Sequence, residues 1–244
     1  MARLQNRVPV FIERQPAVAA TTIAFVVLNV GVASGLFWAL YGFDLGAFGH
    51  PEALLGRNGE TAAVWRIASM ADMVSYLLFA PAIIYLHGRF SAVASQPAGH
   101  AWVAWLVTGS GLGFVLVGAI GAALMASVGP PLLELGQTDP AAARVAFLTL
   151  LSGVGVGLWG TLELLLLGVW LAGFMWWVRG EDRLIAGTAA IASAGVCGYA
   201  AKAGLTGQLP LDRPGPIELA IIGAVGFLPL AAILIAANLW RAGR

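Results

Sequence analysis

Six long, mostly apolar runs constrain this chain more than any motif does. They extend roughly from Val18 to Tyr41, Trp65 to His87, Trp102 to Met125, Val145 to Val178, Leu184 to Gly204 and Ile217 to Trp240. A bilayer core about 30 Å thick needs about 20 apolar residues of helix, and each run meets that length. Backbone in lipid has no water to bond, so each run must be helical. Strands of a transmembrane barrel would alternate apolar and polar residues in segments of about ten, and these runs are continuous. The expected fold is therefore all-α: a polytopic bundle of six transmembrane helices.

Composition closes off other classes. The chain is 59% hydrophobic and 10% charged, with a mean hydropathy of +0.86; a soluble domain is about 45–50% apolar and about 25% charged. Disorder, nucleic-acid binding and a small disulfide scaffold each need charge or cysteine that is absent here. The net charge of +1 offers no basic field. A single cysteine, Cys197, forms neither an intrachain disulfide nor a metal cluster and reads as a small apolar helix residue.

Residues 1–17 form an N-terminal segment read as cytoplasmic and interfacial, and residues 18–241 a single transmembrane domain. The first run continues unbroken to Tyr41, too long for the core of a cleaved signal, and so reads as an uncleaved helix. With the N-terminus inside, eight basic residues (Arg3, Arg7, Arg14, Arg89, Arg179, Arg183, Arg241, Arg244) lie on the inner side. Five (Arg57, Arg66, Arg144, Lys202, Arg213) lie on the outer. The bias places both termini in the cytoplasm. Trp38, Tyr41, Trp65 and Tyr199 would then mark the outer interface, and Tyr85, Trp102, Trp105, Trp176, Trp177 and Trp240 the inner one.

The fourth run is too long for one span. Asp139 and Pro140 make a helix start, and a helix from there to Val178 would be about 58 Å long. Gly153, Gly155, Gly157 and Gly160 offer a break, so a short interfacial helix from Pro140 to about Ser152 is expected before the true span. Pro81 and Pro229 should kink their helices. The small-residue pairs Gly31/Gly35, Gly109/Gly113 and Gly153/Gly157 are expected to pack helices together within the chain, ahead of self-dimerisation. No inverted repeat divides the sequence.

Ionisable residues inside a span are costly and so mark candidate sites. Asp72 lies about 10 Å in from the outer boundary, with Ser69, Ser75 and Tyr76 on its side of the helix. Glu163, thirteen residues before Trp176, falls at the same level. Lys202 reaches the outer end of the fifth helix, and Arg66 and Glu218 start their helices on that side. One reading is an outward-opening polar pocket lined by Asp72 and Glu163, with Lys202 or Arg66 as counter-charge and Tyr76, Trp159 and Tyr199 as walls. Two others stand beside it: buried pairs or protonated carboxyls bonded to Ser69, Ser75 or backbone that orient the helices, and a proton-coupled transport path.

No motif of dedicated chemistry is present: no nucleophile elbow, phosphate-binding glycine loop, paired His-Glu zinc motif or CxxC. His50, His87 and His100 sit in loops or at helix ends, which argues against haem, and His87 with His100 lacks a third ligand for zinc. No catalytic residue, metal or cofactor is expected, and the reading leans away from an enzyme. The expected partners are membrane lipid, a small amphiphilic ligand or another protein in a membrane complex, and not nucleic acid.

The segment Trp65-Arg66-Ile67-Ala68-Ser69-Met70-Ala71-Asp72 runs into Leu77-Leu78-Phe79-Ala80-Pro81. The glycine-rich fourth stretch ends at Trp176-Trp177-Val178-Arg179, and the fifth helix opens Leu184-Ile185-Ala186-Gly187. From Ala24 to about Trp240 this order resembles the uncharacterised bacterial six-helix membrane proteins of the domain-of-unknown-function family numbered 4386. In that family an Arg followed by an Asp in the second helix is similar to Arg66 and Asp72. The resemblance implies a fold and an inner-membrane location but no reaction. The leading expectation is thus a protein that binds a small or lipid-like ligand in the outward-facing pocket or serves as a subunit of a membrane complex. The alternatives are a proton-coupled secondary transporter using Asp72 or Glu163, and a lipid-acting membrane enzyme.

Overall fold

The computed structural model describes residues 15–43, 51–55, 57, 59–94, 101–180, 182–207 and 227–242. Among them there is no β-strand. Helix α1 runs through Gln15–Val26, Val27–Ala33 and Ser34–Leu40, the middle part wound as a π-helix. Helix α2 is Gly59–Ala94 and α3 is Ala101–Leu135. Helix α4 runs through Pro140–Leu151, Ser152–Glu163 and Leu164–Val178, again with a π-wound middle. Helix α5 is Arg183–Thr206 and α6 is Phe227–Ala242. Among the described residues, five helices are long and apolar enough to cross a membrane: Pro16–Leu40, Gly59–Gly88, Trp102–Leu135, Pro140–Val178 and Arg183–Thr206. The N-terminal segment to Arg14, His50, His100, Arg213, Glu218 and the start of the sixth run lie outside the described residues.

Local chemistry sets the helix ends. The Asp139 carboxylate accepts from the Ala142 N–H at 3.0 Å, with Pro140 in the first turn. Asp182 likewise accepts from Leu184 and Ile185 N–H at 2.9 and 3.1 Å. These caps satisfy amide groups that the first turn leaves open. Gly207, at φ +66°, stops α5 in the left-handed conformation glycine adopts without strain and donates its N–H to the Ala203 carbonyl.

Two boundaries differ from the sequence expectation. Helix α3 runs through Pro130 and Pro131 to Leu135, well past Met125; these prolines remove two donors near one end and do not stop the helix. The glycines of α4 do not break the chain. They change the winding at Ser152, and a single helix of 39 residues replaces the expected interfacial helix and separate span. Backbone bonding continues through this segment with one residue more per closed turn, which glycine tolerates at no side-chain cost.

Each helix packs on its sequence neighbours, and α6 also packs on α1. The outward faces are apolar: Ile67, Met70, Val74, Leu77 and Ile84 on α2, and Leu112, Leu116, Ile120 and Leu124 on α3. A helix apolar on both faces packs inward on one side and meets hydrocarbon on the other.

Glycines on α3 accept aromatic rings from neighbouring helices. A methyl group at Gly111, Gly118, Gly121 or Gly129 would collide with Trp170, Tyr76, Trp159 or Trp65 respectively. The expected glycine pairs behave differently. Gly31, Gly35, Gly109 and Gly153 have open space around them and Gly157 meets only the backbone of its own helix; of those six residues, Gly113 alone packs tightly, on Leu166. Close approach here is ring into notch, not backbone against backbone, because the facing residues are aromatic.

Two apolar clusters fill the interior. One, at the end where α1 stops and α4 starts, contains Leu40, Leu54, Trp65, Met125, Leu133, Phe147 and Val154. The other, toward the opposite end, contains Phe25, Phe79, Ile83, Phe114, Leu167, Trp170 and Phe174. A polar layer lies between them along α1, α2 and α4.

Candidate functional site

Helix α2 builds most of that layer. Its inward face carries Trp65, Ser69, Asp72, Ser75, Tyr76, Phe79 and Ile83 at three- and four-residue spacings, all buried. Asp72 is 7% exposed and Glu163 5%. Both carboxyls are thus enclosed by packing among the described residues.

Asp72 is held from α1: the Asn29 amide Nδ2 donates to its Oδ1 at 2.5 Å. Asn29 sits in the π-wound turn, where its carbonyl accepts from both the backbone N–H and the hydroxyl of Ser34, the latter at 2.9 Å. The Ser75 hydroxyl donates to the Asp72 backbone carbonyl at 2.6 Å and so does not serve the carboxyl group. The Ser69 hydroxyl, fully buried, has no hydrogen-bond partner.

Glu163 is held from α2: the Tyr76 hydroxyl donates to its Oε1 at 2.8 Å, while Oε2 is buried without a partner. Glu163 is the last residue of the π-wound segment of α4. Tyr76, four residues after Asp72 on the same helix face, bonds Glu163 and so brings the two carboxyl groups into one layer. Tyr76 packs edge-on against Phe114 at 5.4 Å and fills the notch at Gly118. Trp159 fills the notch at Gly121 and donates its indole N–H to the Gly118 carbonyl at 3.3 Å.

Tyr76 and Trp159 are therefore seated at Gly118 and Gly121 of α3, Tyr76 reaching Glu163 on α4, while Asp72 is held by Asn29 of α1. Arg66 lies apart: it is exposed, and six residues before Asp72 places it about 240° around α2. Lys202 is half-buried on α5. Gly204 of the same helix takes the side chain of Thr161 from α4, and two residues turn Lys202 about 200° away from that contact. Among the described residues, the side-chain partners of both carboxyls are neutral.

Asn29 is the member of this cluster that sequence reasoning missed. Its signal is present, a carboxamide inside an otherwise apolar run and polar enough to demand a partner, but it is uncharged and so stands out less than a carboxylate. Of the histidines, His87 bonds the Thr108 hydroxyl at 2.8 Å and packs at a tilt against the Trp105 ring, centroids 4.4 Å apart. Among the described residues no three His, Cys, Asp or Glu side chains group so as to hold a metal ion.

This layer holds two carboxyl groups, a phenol bonded to one of them, and two buried oxygens with spare hydrogen-bonding capacity. Such a set can exchange protons or bind a small polar group; it presents no paired nucleophile and base. No protein-family model, curated protein or solved structure matches the chain. The apolar helices and the buried polar layer are compatible with a multi-pass membrane protein.

Proposed function

We propose that this chain is a proton-coupled multi-pass protein of the bacterial cytoplasmic membrane, with both termini cytoplasmic and with Asp72 and Glu163 as its proton-binding pair. The observation that carries the reading is that, among the described residues, the hydrogen-bond donors to both carboxyls are neutral side chains. Asp72 meets Asn29, Glu163 meets Tyr76, and the layer is closed by apolar clusters at both ends. An ionised carboxyl inside a membrane is expensive without a cation beside it. A pair of carboxyls with neutral donors is therefore suited to taking up and giving back protons. Kinship with the family numbered 4386 would fit the location and adds no reaction.

A second reading, a small-ligand site in the same layer, is favoured by the unpartnered Oε2 of Glu163 and the hydroxyl of Ser69, which a polar ligand group would satisfy. Potentiometric titration of the protein in lipid nanodiscs tests the first reading. Over the pH range in which the helical circular dichroism is constant, wild type is expected to bind more protons than the Asp72→Asn and Glu163→Gln variants. Proton-binding curves identical in all three would refute it.

A further inference from the structure

We infer that the π-wound segment of α4 is the moving part of the proton site, one of its wide turns closing to an α-helical turn when Glu163 loses its proton; this rests on the proposed exchange of protons at that carboxyl. The segment Ser152–Glu163 ends on the carboxyl-bearing residue itself. Inside it the Thr161 hydroxyl donates to the carbonyl of Val156, five residues back, at 2.8 Å. Gly153 and Gly157 touch no neighbouring helix, so packing does not explain them, and their effect falls on the backbone. Wide turns of this kind are rare and concentrate at functional sites.

The geometry of rewinding follows from residue count. Replacing one five-residue bond by a four-residue bond turns everything beyond it by about 100° and shifts it by about 1.5 Å along the axis. Glu163 would leave the Tyr76 hydroxyl. In the described arrangement Oε1 has a donor and Oε2 has none. A protonated carboxyl tolerates this, because only one oxygen accepts and the other holds the hydrogen. Once the O–H bond breaks and the proton passes to water, two charged oxygens share a single donor, and Asp72 lies near.

Among the described residues, the ionisable groups on the helices packed against this segment are few. Helix α2 supplies Asp72 and Tyr76, and α3 has no ionisable side chain between Ala101 and Leu133. Helix α5, which packs on the segment, carries Cys197, Tyr199 and Lys202. Loss of the Glu163 proton is thus felt mainly against Tyr76 and Asp72.

The test is pulsed electron resonance on the full chain in nanodiscs, with Cys197→Ala as background. Spin labels go on exposed positions either side of the segment. Leu165→Cys is paired with Leu116→Cys, and Leu148→Cys with Ile120→Cys. Infrared spectra of the same samples follow the carboxyl groups. As pH rises through the carboxyl titration, one pair is expected to shift by about 5–8 Å, the chord of a 100° turn at side-chain radius. Glu163→Gln should hold the low-pH distance at every pH. Gly153→Ala with Gly157→Ala, which favours α-helical winding, should move the shift to lower pH. A carboxyl band that titrates while both distances stay fixed would overturn the inference and leave the proton-binding reading intact. A band that does not titrate would remove both.

Discussion

The layer around Trp65 and the layer around Asp72 are built from the same four helices by opposite means. At Trp65 the indole N–H donates to the Met125 carbonyl at 3.1 Å. Its ring occupies the notch at Gly129 and meets Phe37 edge-on at 5.1 Å and Phe147 at 5.5 Å. Shape and hydrogen bonding are both satisfied there. One layer deeper, Asn29, Asp72, Tyr76 and Glu163 tie α1, α2 and α4 together by side-chain bonds, yet Glu163 Oε2 and Ser69 Oγ are left over. A buried polar atom without a partner costs about 1–3 kcal/mol. The contrast separates a layer that holds the bundle from a layer that keeps capacity to do something.

The largest expected effect lies in the first layer. Trp65→Ala removes the ring and the indole donor, and should lower stability by about 3–5 kcal/mol in denaturant titrations followed by circular dichroism. A loss below about 1 kcal/mol would mean that this layer is not a structural clamp. Gly118→Ala places a methyl group against the Tyr76 ring and should cost about 1–3 kcal/mol by overpacking, read in the same titration. It also displaces the phenol that serves Glu163, so it perturbs the packing and the hydrogen bonding of the polar layer together.

Tyr76→Phe sharpens the comparison. It keeps the ring in its notch and removes only the donor to Glu163, at an expected cost of about 1–2 kcal/mol. A double-mutant cycle with Glu163→Gln should return a coupling energy above about 0.5 kcal/mol. Zero coupling would show that this hydrogen bond carries no energy and that the polar layer is passive. The smallest effect is expected at Arg66. It is exposed and outside the cluster, so Arg66→Gln should change stability by no more than about 0.5 kcal/mol and leave proton binding as it is.

The helical class and the placement of most spans were legible in the sequence, because a long apolar run has one solution in lipid. Asp72 and Glu163 were legible for the same reason: charge inside such a run stands out. Their partners were not. Sequence offered Arg66 and Lys202 because opposite charges attract, whereas a helix rotates each residue by about 100°, and neither angle suits the layer. Asn29 and Tyr76 take those places by facing the right way. The glycines were seen and misassigned: spacing suggested close helix contact at Gly153 and Gly157 and a break before the fourth span, but they belong to a wide turn. The α3 glycines that take aromatic rings, at positions 111, 118, 121 and 129, are recognisable only once the ring opposite each is known.

The central claim is that Asp72 and Glu163 exchange protons inside an intact bundle, and infrared spectroscopy of the carboxyl C=O stretch in nanodiscs addresses it most directly. With a pH series in water and in heavy water, wild type should show two buried carboxyl bands that shift on deuteration and diminish as pH rises. Asp72→Asn should remove one and Glu163→Gln the other. Bands that neither deuterate nor change with pH while the fold persists would contradict the account and reduce the polar layer to a structural tie.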